Sequence, residues 1–499
     1  MKIITMHHIL GNKVLEYDVD DRGVIVDERE IDRTVNHKPN IADWVKEHMV
    51  FWYDMSKPAD TYSQNFNDWI PHPSVNADII ITSTSFVITR FATLNDTVKC
   101  YIPDQTKNFP GMKVEVKGIV DGQELYWGYS ANAKLVNITS DGTYDISPLE
   151  TVKGNLSFRN GNIVGACNIT ITQLPSGQSV PTNEILKTNP YLQDFSGNNR
   201  PLKLNNFLFA AMSGVGGYDI ASTNILPDRA NVTVTDNRII HITKKLSTTD
   251  NMVNIVPANS NPTHKFKVTG LSDGRQVSLV NRNGGFYTFD NGEHEVTLTY
   301  PEGTTSLYNA IGVTGDIGDM DVTIEFLPKY PNALVTDGVD DYGVVENFKS
   351  CKNYMMFFQC AIIRPATSKG MFSTTPIEGN IKGWMLLQGN SANAVRFGNN
   401  VYKNFNVTSS IGDKISYVLS ANNELMTCYV GEEKATLAGT YKQTGANMSL
   451  FLSDNNNKTR FGSMAFYKSI LFDSVPTKET DGFTEQDLIN YVFENLITK

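Results

Sequence analysis

Acidic side chains near position 340 are the residues of this sequence best suited to bind a metal ion. Asp337, Asp340 and Asp341 stand close together, and carboxylate oxygens are among the ligands that Ca²⁺ prefers. A turn explains the same pattern, because Asp337 precedes Gly338 and short acidic side chains in turns accept hydrogen bonds from backbone amides. We favour the turn, and we assign no metal and no other cofactor.

Glycoside hydrolysis is the second chemistry to consider. It needs two carboxyl groups that flank the scissile bond, and a strand that presents them carries acidic residues at alternate positions, as in E-x-D-x-E. The sequence contains no E-x-D-x-E run, and the acidic alternation at residues 28–32 is predicted to be the solvated face of a strand. No HExxH motif occurs either, and the G-x-S-x-G match at residues 270–274 falls at the hairpin turn predicted for Asp273 and Gly274, not between a strand and a helix. The sequence therefore predicts no catalytic residue and no enzyme.

Large aromatic side chains concentrate in a short segment near the amino terminus. Aromatic rings dominate the energy of an interface when they enter a partner's pocket. We therefore treat four residues as candidate attachment residues: Trp44, Phe51, Trp52 and Tyr53. The alternative is that these rings pack inside the chain against the domain that follows.

Aromatic residues in the carboxyl-terminal part are candidates for stacking on sugar rings, since flat apolar surfaces complement the C–H faces of a pyranose. They are Trp384, Tyr402, Tyr429 and Phe461. Most aromatic side chains in a globular domain lie in its core. We therefore assign no sugar-binding residue.

Composition limits the class of protein. A length of 499 residues predicts about three domains. The net charge of −10 opposes contact with phosphate backbones, so we expect no nucleic-acid partner. No apolar run approaches the ~20 residues that cross a bilayer, so we expect no membrane partner. Five cysteines without a CxxC pair, and an amino terminus without an apolar leader, predict buried thiols in a protein made in a reducing cytoplasm.

Short alternating segments separated by glycine turns predict an all-β protein with several β-sandwich domains. A small α+β region precedes the sandwiches, with a helix capped by Asn40, and a helix with a Thr484–Asp487 capping box closes the chain. A proline-containing segment at residues 175–181 is predicted to be a linker. The expected domains are an anchoring region at 1–75, an immunoglobulin-like sandwich at 76–178, and an inserted jelly-roll-like sandwich at 218–329 within a module formed by 185–217 and 330–499.

Two segments carry a resemblance to a known family. DFSGNN at residues 194–199 and VTDGVDDY at 335–342 resemble the two halves of the opening motif of laminin-G/concanavalin-like modules. These halves normally lie close together in that family, which implies that residues 218–329 are a domain inserted between two strands of one sandwich. The terminal module is therefore expected to be discontinuous.

A second resemblance concerns the whole chain. The segments MSGVGGY at 212–218 and YPNAL at 330–334, together with the laminin-G-like module and the closing helix, look like virion proteins of crAss-like phages that infect Bacteroides. This resemblance implies a non-enzymatic capsid-decorating, head-fibre or tail-fibre protein, located in the virion and homo-oligomeric. Its expected partners are other virion proteins and a glycan of the host surface. The alternatives are a bacterial carbohydrate-binding adhesin and, third, a glycan-degrading enzyme.

Overall fold

The structure is a computed structural model of the chain. It describes residues 4–10, 13–19, 25–32, 40–62, 66, 70–71, 77–82, 84–91, 97–98, 100–101, 109, 111–130, 133–150, 156–218, 220–225, 231–235, 238–245, 253–257, 262–281, 285–298, 309–348, 351–366, 368–376, 384–389, 394–398, 402–407, 409–422, 425–438, 444–454 and 459–498.

The helices that the structure describes are short. They are α1 (Ile41–His48), α2 (Asn183–Thr188) and α3 (Glu485–Val492), the last continued by a π-helical turn, Phe493–Ile497. The Asn40 side chain accepts a hydrogen bond from the backbone N–H of Asp43, as the sequence predicts for a helix cap. Thr484 and Asp487 form the predicted capping box. No helix among the described residues is long and apolar enough to span a membrane.

The chain begins with three antiparallel strands, Ile4–Leu10, Lys13–Val19 and Ile25–Asp32, which pair in chain order. The acidic alternation at residues 28–32 lies in the third strand. The turn expected at residues 20–23 lies outside the described residues. Three further two-stranded sheets occur: Ile70–Pro71 with Cys100–Tyr101, Ala59–Thr61 with Gly177–Ser179, and Leu452–Asp454 with Thr459–Phe461.

Two antiparallel sheets form a first sandwich. Their inner faces enclose a core around Trp127, with Phe86, Phe109 and Phe158 in contact with one another or with its indole ring. One sheet has the order Gly142–Ile146, Met112–Lys117, Gly165–Leu174, Ser85–Phe91, Ala77–Ile81, and the other has the order Ala133–Ile138, Leu125–Ser130, Ser157–Asn160, Thr97–Val98.

A second sandwich contains two five-stranded antiparallel sheets. Their apolar residues alternate along each strand, as in the strand Gly318–Phe326, where Val322, Ile324 and Phe326 are buried. One sheet has the order Ile220–Ile225, Val253–Pro257, Asn309–Gly315, Arg275–Asn281, Phe286–Phe289, and the other has the order Val232–Thr235, Ile239–Lys245, Gly318–Phe326, Thr263–Thr269, Gly292–Thr297.

The third sandwich is the largest, and we name its sheets A and B. Sheet A has the order Tyr191–Leu192, Leu202–Asn205, Tyr342–Val345, Thr444–Leu450, Gly370–Pro376, Met385–Gln388, Ala394–Gly398, Tyr402–Asn406. Sheet B has the order Gly214–Val215, Leu334–Val335, Ser463–Phe472, Tyr354–Arg364, Lys414–Ala421, Leu425–Val430, Glu433–Ala438. The fold class expected from the sequence, all-β with several sandwiches and a closing helix, is confirmed.

Strands from both sides of the second sandwich belong to the same two sheets. Leu202–Asn205 pairs with Tyr342–Val345 in sheet A, and Gly214–Val215 pairs with Leu334–Val335 in sheet B. The chain leaves and re-enters at one point, where the Lys329 backbone N–H donates to the Gly217 carbonyl at 2.9 Å. Residues 191–215 and 334–472 therefore build one sandwich around an insertion.

The amino-terminal segment also belongs to this sandwich. The strand Met49–Asp54 pairs with Ser463–Phe472 of sheet B. Helices α1 and α3 cover the outer face of that sheet, in one apolar cluster that includes Trp44, Phe357 and Leu488. The prediction of a separate anchoring region at 1–75 is therefore wrong for residues 41–54, because these residues complete the core of the terminal module.

Candidate functional site

Asp341, the buried carboxylate of the VTDGVDDY segment, connects the two sides of the insertion. Its Oδ1 accepts a hydrogen bond from the Ser213 hydroxyl at 2.9 Å, and its Oδ2 accepts one from the Asp337 backbone N–H at 2.9 Å. Burial raises the pKa of Asp341 to about 7, partly opposed by the hydrogen bond from the Asp337 backbone. A raised pKa in a carboxyl group is also typical of catalytic acids, but this group is fully buried.

The three aspartates considered as calcium ligands do lie together. Carboxylate oxygens of Asp337, Asp340 and Asp341 fall within 4.8 Å of one another. Both oxygens of Asp341 accept bonds from the chain, and Asp337 Oδ1 accepts from the Val339 backbone N–H at 2.7 Å. The bonds from the Asp337 and Val339 backbones are the turn interactions expected from the sequence. With the bond from Ser213, they account for the positions of the two partly or fully buried carboxylates.

Asp194, in the DFSGNN segment, has a similar role at a second place. Its Oδ1 accepts from the backbone N–H of Trp52 and of Ser196, both at 2.9 Å, and its Oδ2 accepts from that of Arg200 at 3.0 Å. Gly197, with a φ of +86°, lets the loop turn back so that Arg200 reaches this carboxylate. The aspartate therefore fastens the strand Met49–Asp54 to the loop at 194–200.

The candidate attachment residues lie mostly inside the chain. Trp44, Phe51 and Tyr53 are each at most 1% exposed. Phe51 and Tyr53 stack on each other, and Trp44 donates from its indole N–H to Asp481 at 3.1 Å. The expectation that these three rings contact another virion protein is therefore wrong, because burial leaves them almost no exposed surface. They pack against the terminal sandwich, not against the first one.

Trp52 differs from its neighbours because it is only partly buried. The Lys57 ammonium lies 3.7 Å from the centre of its ring, and the Phe195 ring packs edge-on against it at 6.1 Å. Of the four candidates, it alone retains surface that a partner protein could contact.

The aromatic candidates for sugar stacking do not form one surface. Trp384 is buried and stacks on Tyr354. The Arg396 guanidinium lies 5.0 Å from the Tyr402 ring, and Phe461 packs 6.0 Å from Tyr342. Tyr429 is partly buried, and its pKa is raised by burial and by the neighbouring carboxylate of Glu485. The structure does not bring these residues together.

A cleft of about 280 Å³ opens where the predicted linker meets the terminal sandwich, and we name it the linker cleft. Its walls come from the strand Ala59–Thr61, from helix α2 and from the loop that follows it. Thr84, which precedes the strand Ser85–Phe91 of the first sandwich, also lines the cleft. The complete lining is Ala59, Asp60, Thr61, Tyr62, Thr84, Ser179, Pro181, Ile185, Leu186, Asn189, Tyr191, Gln193, Asp194, Gly197, Asn199 and Pro201.

Hydrogen bonds hold the polar wall of the linker cleft in place. The Asp60 backbone N–H donates to Gln193 Oε1 at 2.6 Å, and Gln178 Nε2 donates to Asp60 Oδ1 at 3.0 Å. Asn189 ends helix α2, where its backbone N–H donates to the Ile185 carbonyl. Its side-chain Oδ1 is buried and has no hydrogen-bond partner among the described residues. The wall thus contains one acceptor that nothing in the described chain satisfies.

The linker cleft carries negative charge. Asp60 and Asp194 line it, and none of the described lining residues is Lys or Arg. Burial raises the pKa of Tyr62, and the nearby Asp60 carboxylate raises it further. The cleft therefore disfavours anions.

Sequence reasoning missed this site because it treated residues 175–181 as a free linker. In the structure, Gly177–Ser179 pairs with Ala59–Thr61, so the segment is held against the terminal sandwich. The pairing joins positions far apart in the sequence. Only the cluster of amide and tyrosine residues at 189–199 gave a local signal.

No family model and no curated protein matches the chain. Among solved structures, domain 4 of an extracellular arabinanase from Geobacillus stearothermophilus shows 13% identity over 31% of this chain and 80% of its own, with a TM-score of 0.22. Mouse laminin alpha1 domains LG4-5 show 10% identity over 52% and 90%, with a TM-score of 0.21. A Trypanosoma rangeli sialidase shows 10% identity over 99% of both chains, with a TM-score of 0.26. Likenesses this distant do not bear on the fold or activity of this chain.

Proposed function

We propose that this chain is a non-enzymatic structural component of a bacteriophage particle, a capsid-decorating or fibre-like protein that contacts a glycan of the host surface. It forms a homo-oligomer and binds other virion proteins. The resemblance to virion proteins of the segments at 212–218 and 330–334, taken with the laminin-G-like module and the closing helix, supports this assignment.

The observation that carries the structural role is the interlocking of the terminal sandwich. Residues 49–54, 191–215 and 334–472 contribute strands to the same pair of sheets, with an entire sandwich inserted between the last two segments. Contacts between such distant positions form slowly, and we infer that the interlocked sheets also unfold slowly. Slow unfolding limits proteolysis and suits a protein that must persist outside a cell.

The use of the buried carboxylates supports a non-enzymatic role. Among the described residues, the buried acidic side chains are Asp54, Asp194 and Asp341. Asp54 accepts hydrogen bonds from the Ser56 backbone N–H and hydroxyl, and its other oxygen lies 3.1 Å from the Lys468 ammonium. With Asp194 and Asp341 bound to backbone amides, all three act on the chain itself.

Purified particles test the proposal directly. Mass spectrometry should find the chain in gradient-purified phage, and cryo-electron microscopy should place its density on the head or tail. If the chain is absent from particles but antibodies label it on uninfected bacteria, it is an adhesin and the proposal is wrong.

Activity is tested separately with the purified full chain. We expect no release of reducing sugar from a panel of gut polysaccharides. Turnover that survives repurification, and that disappears in an Asp60→Asn variant of the linker cleft, would make the chain a glycan-degrading enzyme.

A further inference from the structure

We propose that the linker cleft is a binding site for a neutral sugar residue. This inference deepens the proposed function, on whose glycan contact it rests, by naming the place and the class of ligand. It draws on three features of the cleft: its aromatic rings, its polar wall and its charge.

The rings supply the apolar part of the site. Tyr62 and Tyr191 both line the cleft, and each is partly buried and partly exposed. Partial exposure leaves ring surface on which the C–H face of a pyranose can pack, while burial of the remainder fixes the rings at little entropic cost. A volume of about 280 Å³ suits a ligand of sugar-ring size, since pockets for drug-sized ligands begin near 300 Å³.

The polar wall supplies directional hydrogen bonds. Asn189 lines the cleft, and its side-chain amide carries both a donor and an acceptor that can pair with sugar hydroxyls. The Gln193 side chain is oriented by its bond from Asp60, which leaves its amide nitrogen to donate to sugar oxygens. Hydroxyl groups of Thr61, Thr84 and Ser179 also line the cleft.

The charge of the cleft selects against acidic sugars. Recognition of a carboxylate or sulfate usually relies on Arg or Lys. The described lining contains neither, and the Lys203 ammonium, 5.9 Å from the centre of the Tyr191 ring, lies beside the lining and not in it. Asp60 would repel such a group at close range. Both oxygens of Asp194 accept hydrogen bonds from backbone N–H groups, three bonds in all. Asp60 is therefore the carboxylate whose charge distinguishes an acidic ligand from a neutral one.

The test measures binding of methyl glycosides to the full chain by ligand-observed NMR and calorimetry. The probes are the methyl glycosides of glucose, galactose, mannose and N-acetylglucosamine, together with methyl glucuronide. We expect at least one neutral probe to bind. Methyl glucuronide, which differs from methyl glucoside by its carboxylate, should bind at least about tenfold more weakly than the best neutral probe.

Variants locate the binding. Tyr62→Ala and Asn189→Ala should each weaken the neutral probe about tenfold. Tyr287→Ala, which removes a partly buried tyrosine from the strand Phe286–Phe289 of the second sandwich, is the matched control and should leave binding unchanged. Asp60→Asn should improve methyl glucuronide relative to the neutral probe.

Three outcomes would overturn the inference: no neutral probe binds, the uronide binds more tightly than every neutral probe, or the Tyr287 control weakens binding as much as the cleft variants. Circular dichroism melting of each variant separates loss of binding from loss of folding. Failure here with the chain still present in purified particles would reject the sugar site alone. Sugar binding by a chain absent from particles would instead reject the virion assignment.

Discussion

At the scale of single residues, two buried aspartates hold segments of the chain together, and one of them, Asp341, is a candidate metal ligand in the sequence. Asp194 and Asp341 each place both carboxylate oxygens on donors from other parts of the chain. Carboxylates that accept backbone N–H bonds make the strong, charge-assisted class of hydrogen bond. The sequence predicts such turns correctly at Asp337, whose partner is nearby, but not the bond from Ser213, which depends on the insertion bringing distant segments together.

The titration of Asp341 gives a prediction at this scale. Its pKa is about 7 in the folded protein and about 3.9 in an unfolded chain. Between these values the folded state holds a proton that the unfolded state lacks, so the free energy of unfolding falls as pH rises from about 4 to about 7. Asp341→Asn removes that proton and should flatten this part of the pH profile.

Urea unfolding of wild type and of Asp341→Asn across pH 4.5 to 8 checks the prediction. Other groups titrate equally in both proteins, so the informative quantity is the difference between the two curves. The free energy of unfolding of the wild type minus that of the variant should decrease as pH rises towards 7. Parallel curves would mean that the buried carboxyl titrates near its ordinary value.

At the scale of elements, the strand Met49–Asp54 shows where local pattern fails. Its sequence, MVFWYD, is apolar without alternation, so it indicates neither which face is buried nor which strand is the partner. Its partner, Ser463–Phe472, lies near the other end of the chain. His48 and Asp473, 425 positions apart, are joined beside this junction by a hydrogen bond of 3.0 Å between His48 Nδ1 and Asp473 Oδ1. By contrast, the caps of α1 and α3 depend on neighbouring residues and were predicted correctly.

Two substitutions in this strand should separate core from surface. Phe51 has no exposed surface, so Phe51→Ala should lower the free energy of unfolding of the terminal sandwich by about 3–5 kcal/mol. Trp52→Ala removes a partly exposed ring and should cost clearly less. Denaturant unfolding, followed by a probe in the terminal sandwich, measures both. Equal costs would contradict the assignment of Phe51 to the core and Trp52 to the surface.

Particle binding extends the same comparison. If the amino-terminal region docks on the virion through its aromatic residues, Trp52→Ala should reduce occupancy on particles without changing the melting temperature. A variant of the core ring Tyr53 should instead lower the melting temperature. Normal occupancy with Trp52→Ala would remove the last aromatic candidate for attachment.

At the scale of the whole molecule, the sequence indicates the number of sandwiches better than their connections. Turn residues and alternation mark strands one by one, and the split between residues 194–199 and 335–342 indicates an insertion. The linker cleft was not predictable, because it forms only when Ala59–Thr61 pairs with Gly177–Ser179 between two sandwiches. Pairings over such distances leave no periodic signal in the sequence.

The insertion gives the last prediction. Lys329 and Tyr330 donate backbone hydrogen bonds to Gly217 and Gly216, at 2.9 and 2.8 Å, so the two ends of the second sandwich lie side by side. Replacing residues 222–328 by a short Gly/Ser linker therefore closes a loop at small entropic cost. The inserted sandwich has its own core, built from its own strands. We expect the shortened protein to keep the cooperative melting of the terminal sandwich and the hydrogen-exchange protection of the strand Tyr354–Arg364, while losing one unfolding transition.

A matched deletion of residues 41–54 should abolish that protection, because it removes Phe51, Tyr53 and Trp44 from apolar clusters of the terminal sandwich. Loss of cooperative melting after removal of the insert would mean that the terminal sandwich depends on the second one, and that the two are a single folding unit.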